Sequence, residues 1–346
     1  MNPLIQSLLI TSLATSTIIT MSSNHWLLAW LGLELNTLSI LPIIIKPHHP
    51  RATEAVTKYF LIQAAAAALI LCASTTNAWQ TGQWSIINTP SSTTTMILTI
   101  AIMLKLGLAP AHLWYPDVLQ GSTMITALVI STWQKIAPLT LLYMTHNHLH
   151  TNTLLLIGLT SVLIGGWAGL NQTQTRKIMA FSSIAHMGWL VVALTLSPSL
   201  ATLTMIMYML MTTMMFISLS STMTKTISDM GMTWPLSPTL MATTMMTLMS
   251  LGGLPPLTGF MPKWLILKEL TMMTLLFLST LLLLASLPSL FFYLRMTYLI
   301  TLTVSPTTTN TEHNWRFKTN LKPNLTLTTM TALMLLPMAP ALYNTT

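Results

Sequence analysis

Apolar residues run along this chain in about eleven segments of membrane-spanning length or near it, separated by short polar connections. The segments fall at about 3–20, 25–45, 53–77, 94–119, 122–143, 153–170, 176–196, 199–224, 239–270, 274–304 and 324–343. Only about 78–93, 225–238 and 305–323 interrupt them at length, and none of these linkers is long enough to set off a soluble domain. The pattern predicts an all-α polytopic membrane protein folded as a single domain over residues 1–346.

Two of the segments are broken. In Leu104-Lys105-Leu106-Gly107-Leu108-Ala109-Pro110-Ala111-His112-Leu113-Trp114-Tyr115-Pro116-Asp117, a cation, a glycine and a proline stand where lipid-facing residues are expected. Pro110 has no N–H, so the Leu106 carbonyl loses its helical partner. The second break, Gly252-Gly253-Leu254-Pro255-Pro256-Leu257-Thr258-Gly259-Phe260-Met261-Pro262-Lys263, has the same parts, with the lysine after the break instead of before it. Irregular backbone survives at membrane depth only where protein buries it or where it lines a watery cavity. A pair of interrupted segments in corresponding halves points to a transport site. The breaks fall in the fourth and ninth segments. Five helices apart is an odd number, so two runs of five would have opposite orientation. This predicts an inverted repeat, with one copy over about 1–143, the second over about 153–304 and a C-terminal helix at about 324–343.

Charge in the loops supports alternation. Loops after even-numbered segments hold Lys46, Arg51, Arg176, Lys177, Lys225, Arg316, Lys318 and Lys322, whereas loops after odd-numbered ones hold no Lys or Arg, Lys268 lying close to one of them. The positive-inside rule puts the basic side, and with it the N-terminus, in the compartment of synthesis, and the C-terminus opposite.

Composition narrows the class further. Of 346 residues, 52% are hydrophobic and 6% charged, and the mean hydropathy is +0.67; a soluble domain carries about 25% charged residues. The net charge of +8 is spread too thinly to track phosphates, so nucleic acid is not an expected partner. A single cysteine, Cys72, excludes an internal disulfide, a Cys-ligated cluster and a cysteine-based structural zinc site, and its alanine-rich surroundings read as packing. The Met-Asn-Pro start lacks an Arg-rich presequence, so the chain is expected to enter its membrane through the first helix, uncleaved. Abundant methionine and threonine suit synthesis inside a mitochondrion.

Four ionisable groups lie deep: Glu34 in the second segment, Lys105 in the fourth, Lys135 in the fifth and Lys263 in the ninth. Each costs about 2.5–3.5 kcal/mol on insertion scales, on the order of 10 kcal/mol together. A low-dielectric interior disfavours an ammonium against its amine, so a buried lysine can take and release a proton. Beside Lys105, the Glu34 charge would set that balance, which makes a switchable relay. The blander reading is paired charges that fix helix packing. His112 and His186 could extend a proton path, or could be hydrogen-bonded packing residues. His146-Asn147-His148-Leu149-His150 and His48-His49 read as loops rather than metal sites, and Asn324-Leu325-Thr326 matches a glycosylation pattern on the wrong side of the membrane. There is no dinucleotide fingerprint, P-loop, nucleophile elbow or metalloprotease motif, and Gly165-Gly166-Trp167-Ala168-Gly169 reads as close helix packing.

Three stretches carry a resemblance: Lys105 to Asp117 with its Pro-Ala-His-x-Trp-x-Pro-Asp core, Phe181-Ser182-Ser183-Ile184-Ala185-His186-Met187-Gly188, and Gly253-Leu254-Pro255-Pro256 running to Gly259-Phe260 and Lys263. Together they resemble the antiporter-like membrane-arm subunits of respiratory complex I and related cation/proton antiporters, over essentially the whole chain. Length and Met/Thr bias are similar to those of animal mitochondrial members, a mammal being the expected source. The resemblance implies a fold of fourteen helices with two inverted five-helix repeats, of which this chain lacks the first three helices. It gives Glu34 the place of the family's membrane glutamate, Lys105 and Lys263 those of the broken-helix lysines, and Lys135 that of the bridging lysine. At the Lys263 position some members carry glutamate.

It further implies a subunit of an H+-translocating NADH:ubiquinone reductase in the mitochondrial inner membrane. This chain would bind no cofactor, with NAD, FMN, iron–sulfur clusters and ubiquinone in partner subunits. Other membrane-arm subunits, accessory subunits and phospholipids such as cardiolipin would be its neighbours. An independent cation/proton antiporter and a proton-silent spacer of the arm are the alternatives.

Overall fold

The computed structural model describes residues 3–87, 91–234, 237–303, 316, 325–338 and 341. Helices dominate, and the only extended pairing among the described residues is two isolated bridges. Eight helical stretches are long and apolar enough to cross a membrane, against the eleven segments read from the sequence. The difference lies in segments that are helical but short. The fourth is split into pieces of 15 and 8 residues, the ninth into 15 and 13, and the eleventh has a described helix of 10 residues. Asn324, Lys318 and Lys322 lie outside the described residues.

The chain forms two compact units, Met1–Ser161 and Val162–Thr346. In the first, α1 (Pro3–Ser22), α2 (Trp26–Ile45), α3 (Pro50–Thr81), α4 (Ser92–Leu106), α5 (Trp114–Gly121), α6 (Met124–Ser131) and α7 (Ile136–Thr145) follow one another. Helix α8 (Thr151–Gly169) begins there and ends in the second unit, which continues with α9 (Thr175–Leu196), α10 (Pro198–Thr222), α11 (Ile227–Gly231), α12 (Pro238–Gly252), α13 (Phe260–Met272), α14 (Leu276–Leu302) and α15 (Leu325–Met334).

Local chemistry explains the boundaries. His49 caps α3, its Nδ1 accepting the Arg51 N–H at 3.2 Å, with Pro50 at the first helical position. Gly82, at φ 71°, ends the same helix. A threonine-rich chain tolerates an apolar medium because the hydroxyls turn back onto their own helix, as in Thr17 to the Ala14 carbonyl at 2.8 Å and Ser183 to the Ala180 carbonyl at 2.7 Å.

The fifth segment departs from the single helix expected over 122–143. It runs as α6, a 3-10 turn at Trp133–Lys135, and α7. The cause is Pro138, whose missing N–H cannot bond the Gln134 carbonyl, so the helix tightens one turn earlier. The irregular turn ends on Lys135.

Each unit also repeats a backbone device. In the first, the Trp26 N–H bonds the Trp84 carbonyl at 3.0 Å and the Ile86 N–H the Asn24 carbonyl at 3.1 Å, around the His25–Ser85 bridge. In the second, the Thr175 N–H bonds Lys225 at 3.1 Å and the Ile227 N–H bonds Thr173 at 3.2 Å, around the Gln174–Thr226 bridge. In both, the start of a unit's second helix is tied to the segment just past its third.

Helix α8 packs by its glycines. A methyl group on Gly165 would meet the Ala185 nitrogen at 2.8 Å and the Phe181 carbonyl at 2.9 Å, and one on Gly169 would meet the Phe292 ring at 2.9 Å. This is the close approach expected of small residues between membrane helices.

Candidate functional site

The first break is built around the end of α4. Gly107 turns the chain at φ 70°, and the Leu108 N–H bonds the Met103 carbonyl at 3.1 Å, closing the helix end. A side chain there would be strained by φ and crowded by Trp114 and Tyr115, each 3.3 Å from its first carbon. The chain then passes a cis Ala109–Pro110 peptide and restarts as α5.

Lys105 sits in the last turn of α4, 6% exposed, with no hydrogen-bond partner for its Nζ. Its own carbonyl accepts from Gln63 Nε2 of α3 at 3.4 Å. A cavity of about 20 Å³, room for about one water, opens beside it. Lys105 and Lys135 both line that cavity, with Asn36, Tyr59, Gln63 and Gln134. Lys135, 3% exposed, holds its Nζ 4.9 Å from the centre of the Tyr115 ring, a cation–π contact.

Glu34 on α2 is half-buried, and its Oε2 is shielded without a hydrogen-bond partner. It lies in electrostatic reach of Lys105, but no N···O distance of 4.0 Å or less joins them, so the expected Glu34–Lys105 pair is open in this structure. His112 is buried in the break, its Nδ1 3.2 Å from the Pro110 carbonyl, and is not part of the cavity lining. Asp117, at the end of the first motif, pairs with Lys58 at 2.7 Å, and Lys58 also meets Glu54 at 2.7 Å. These groups are half-exposed, so the cluster fastens α3 to α5 with only about 0–1 kcal/mol.

In the second unit, α12 ends at Gly253, φ 86°, and Lys263 reaches back from α13 so that its Nζ donates to the Gly252 carbonyl at 2.9 Å. The reversed order of lysine and break therefore leads to a shared local placement. Each ammonium is held at the C-terminal end of the first half-helix, carried by α4 itself in one case and by the following half-helix in the other. The negative end of a helix dipole favours a cation there. A second cavity of about 20 Å³ brings Lys263 together with His186, Thr204, Tyr208 and Trp189, and the rings of His186 and Tyr208 lie 5.7 Å apart. Helix α15 covers this break, Thr258 Oγ1 donating to the Ala332 carbonyl at 2.5 Å.

Asn36, Tyr59, Gln63 and Gln134 were not singled out by sequence. Ordinary polar residues on separate segments carry no local signal, although Pro138 marked the turn that displays Gln134. Arg295 was also passed over; it donates to the Leu170 and Gln172 carbonyls beyond the end of α8. Among the described residues, no group of three or more His, Cys, Asp or Glu side chains converges. His146 turns its Nδ1 onto the Tyr143 carbonyl at 2.7 Å, within a 3-10 turn at His146–His148.

Residues 23–289 match the family described as NADH:quinone oxidoreductase/Mrp antiporter, TM. The chain belongs to that family. Residues 290–343 match the NADH dehydrogenase subunit 2 C-terminus family. A Carassius auratus protein named NADH-ubiquinone oxidoreductase chain 2 is 52% identical over 347 residues, covering 100% of both chains. Proteins of that name from Xenopus laevis and Gallus gallus are each 51% identical, covering 98% of this chain and 99% and 98% of their own. These relatives are a fish, an amphibian and a bird, and so lend the expected mammalian source no particular support. Among solved structures, a chain of respiratory complex I from Thermus thermophilus is 26% identical with a TM-score of 0.81, over 97% of this chain and 79% of that one. A chain of the Mrp complex from Dietzia, 13% identical with a TM-score of 0.81 over 97% and 75%, shares the fold.

Proposed function

We propose that this chain is an antiporter-like membrane-arm subunit of respiratory complex I. In this reading it moves protons across the mitochondrial inner membrane through Glu34, Lys105, Lys135 and Lys263, with His112 and His186 beside the path. NADH oxidation and quinone reduction take place in partner subunits, which hold NAD, FMN, the iron–sulfur clusters and ubiquinone. The observation that carries the reading is one water-sized cavity lined by two buried lysines, Lys105 and Lys135, with a half-buried glutamate in electrostatic reach of the first.

The geometry supports a simple mechanism. When Glu34 approaches Lys105 as a carboxylate, it stabilises the ammonium; when it withdraws, the buried charge is left unsupported and the proton is released. Lys135 can receive that proton over the Tyr115 ring face, whose quadrupole favours the charged form. Each proton delivered outward works against about 2.3 kcal/mol per 100 mV. The tie between second and third helices, repeated in both units with the glycine-capped half-helix, supports two repeats of the same five-helix plan. The loop charges support an N-terminus in the matrix and a C-terminus in the intermembrane space. Neighbouring membrane-arm and accessory subunits, and phospholipids such as cardiolipin, pack against the outward apolar faces of its helices.

The test is the proton-to-electron ratio of the assembled complex in proteoliposomes. Lys105→Met and Glu34→Gln are expected to lower it while the complex remains intact. An unchanged ratio in both variants would overturn the reading.

A further inference from the structure

We infer that Gln134, clamped between Asn36 and Tyr59, is a positioning residue for the step between Lys105 and Lys135; the inference rests on the proton-moving role given above. Gln134 Nε2 donates to Asn36 Oδ1 at 3.0 Å, and the Tyr59 hydroxyl donates to Gln134 Oε1 at 3.4 Å. Three elements are joined by these two bonds: α2, α3 and the turn before α7. Asn36 and Tyr59 are each 2% exposed and Gln134 9%, so bulk solvent cannot compete for the bonds.

The clamp fixes which end of the Gln134 amide faces which neighbour. Its oxygen is taken by Tyr59 and one N–H by Asn36, which leaves a second N–H and the lone pairs of the Tyr59 oxygen. Both residues line the cavity shared by Lys105 and Lys135. A cavity of about 20 Å³ accommodates a single water, and a buried water is held by two to four polar partners. Lys105 Nζ, buried and without a hydrogen-bond partner, is one; the spare Gln134 N–H and the Tyr59 oxygen supply the others. A water so held has one lone pair turned to the Lys105 ammonium and an O–H to offer onward.

The step balances in protons. One N–H bond of the Lys105 ammonium breaks as the water takes that proton, and the same water gives up one of its own to the Lys135 amine. Lys105 ends neutral, Lys135 ends as the ammonium over Tyr115, and the water is regenerated. The aromatic frame keeps the geometry rigid, with Tyr59 edge-on to Trp114 at 5.7 Å and Trp114 edge-on to Tyr115 at 5.5 Å.

The experiment compares Gln134→Leu, Tyr59→Phe and Lys105→Met in the assembled complex, reading the rate of proton delivery in H2O and D2O. Misplacement of a reacting group by about 1 Å can cost 10²-fold. Gln134→Leu is expected to slow proton delivery about ten-fold, and Tyr59→Phe, which keeps the ring, by a smaller factor. Both should raise the solvent isotope ratio, which a packing defect alone would not move. The double variant should lose less than the product of the two single losses, because both act through one bond. If Gln134→Leu does not assemble, Tyr59→Phe decides. Wild-type rates and isotope ratios in the clamp variants, beside a Lys105→Met that no longer pumps, would overturn this inference and leave the proton-moving role standing. Wild-type pumping in all three would overturn both.

Discussion

The Lys263 ammonium lies 2.9 Å from the Gly252 carbonyl oxygen, eleven residues back along the chain and across the break between α12 and α13. Gly253 makes that contact possible. A first side-chain carbon at position 253 would stand 3.0 Å from Lys263 Nζ, and the backbone there has φ 86°. Gly253→Ala is therefore expected to destabilise the turn by about 1–2 kcal/mol and to push the lysine off its carbonyl. A lower melting temperature of the assembled complex, together with slower proton delivery, checks this. An alanine variant that melts and pumps as wild type would show that Lys263 does not depend on the turn.

Lys263→Met and Lys263→Arg separate charge from shape. Methionine fills a similar volume without a cation, and arginine keeps the cation on a wider, planar head. Proton delivery is expected to fall in both, with more of the complex assembled in the methionine variant, since the space at the α12 end is so tight that even a methyl group on Gly253 would stand 3.0 Å from the ammonium. Quantifying assembled complex by native gel beside the pumping rate reads the two effects apart.

Gly165 tests the packing of α8. Leucine at this position would drive into the Ala185 nitrogen and the Phe181 carbonyl, both backbone atoms that cannot swing aside. Gly165→Leu is expected to abolish assembly, whereas Leu156→Ala, at a position facing outward from the same helix, leaves it intact. Immunoblotting of assembled complex distinguishes the two.

Asp229 gives a prediction with a pH sign, outside the membrane-spanning helices. Its carboxylate accepts the Thr226 N–H at 2.9 Å and the Lys225 N–H at 3.2 Å. The Thr226 backbone bond, chiefly, holds its carboxyl below the usual carboxylate range. A depressed pKa means that the stabilisation is present above the ordinary aspartate value and is lost as pH falls through the folded one. Amide exchange at Lys225 and Thr226 is expected to be faster in Asp229→Asn at neutral pH. Below the folded pKa, wild type should converge on the variant. Equal protection in the two at neutral pH would contradict the cap.

The sequence made the two breaks visible because glycine and proline act locally. Gly107, Pro110, Gly253 and Pro255 dictate the backbone whatever surrounds them. It pointed to Lys105 and Lys135, which the fold buries, since hydropathy needs no tertiary information, but it passed over Arg295 within α14. It did not show that Lys105 and Lys135 share a cavity, because Asn36, Tyr59, Gln63 and Gln134 come from separate elements and meet only through packing. Nor did it show the break at Lys135, although Pro138 was there to be read: three residues beyond the lysine, it frees the Gln134 carbonyl. The open Glu34–Lys105 relationship was beyond reach as well, since whether two groups touch depends on the separation of α2 and α4.

Helix α12 stops at Gly252, whose carbonyl accepts from Lys263 at the negative end of the helix, and this sets the counter-charge at the second break. A carboxylate can be neutralised by the traffic it guides. A row of aligned amide groups cannot: it neither gains nor gives up a hydrogen ion at any physiological acidity. The anchor at this end is thus permanent, and whatever toggles there must be the lysine itself or something that moves it.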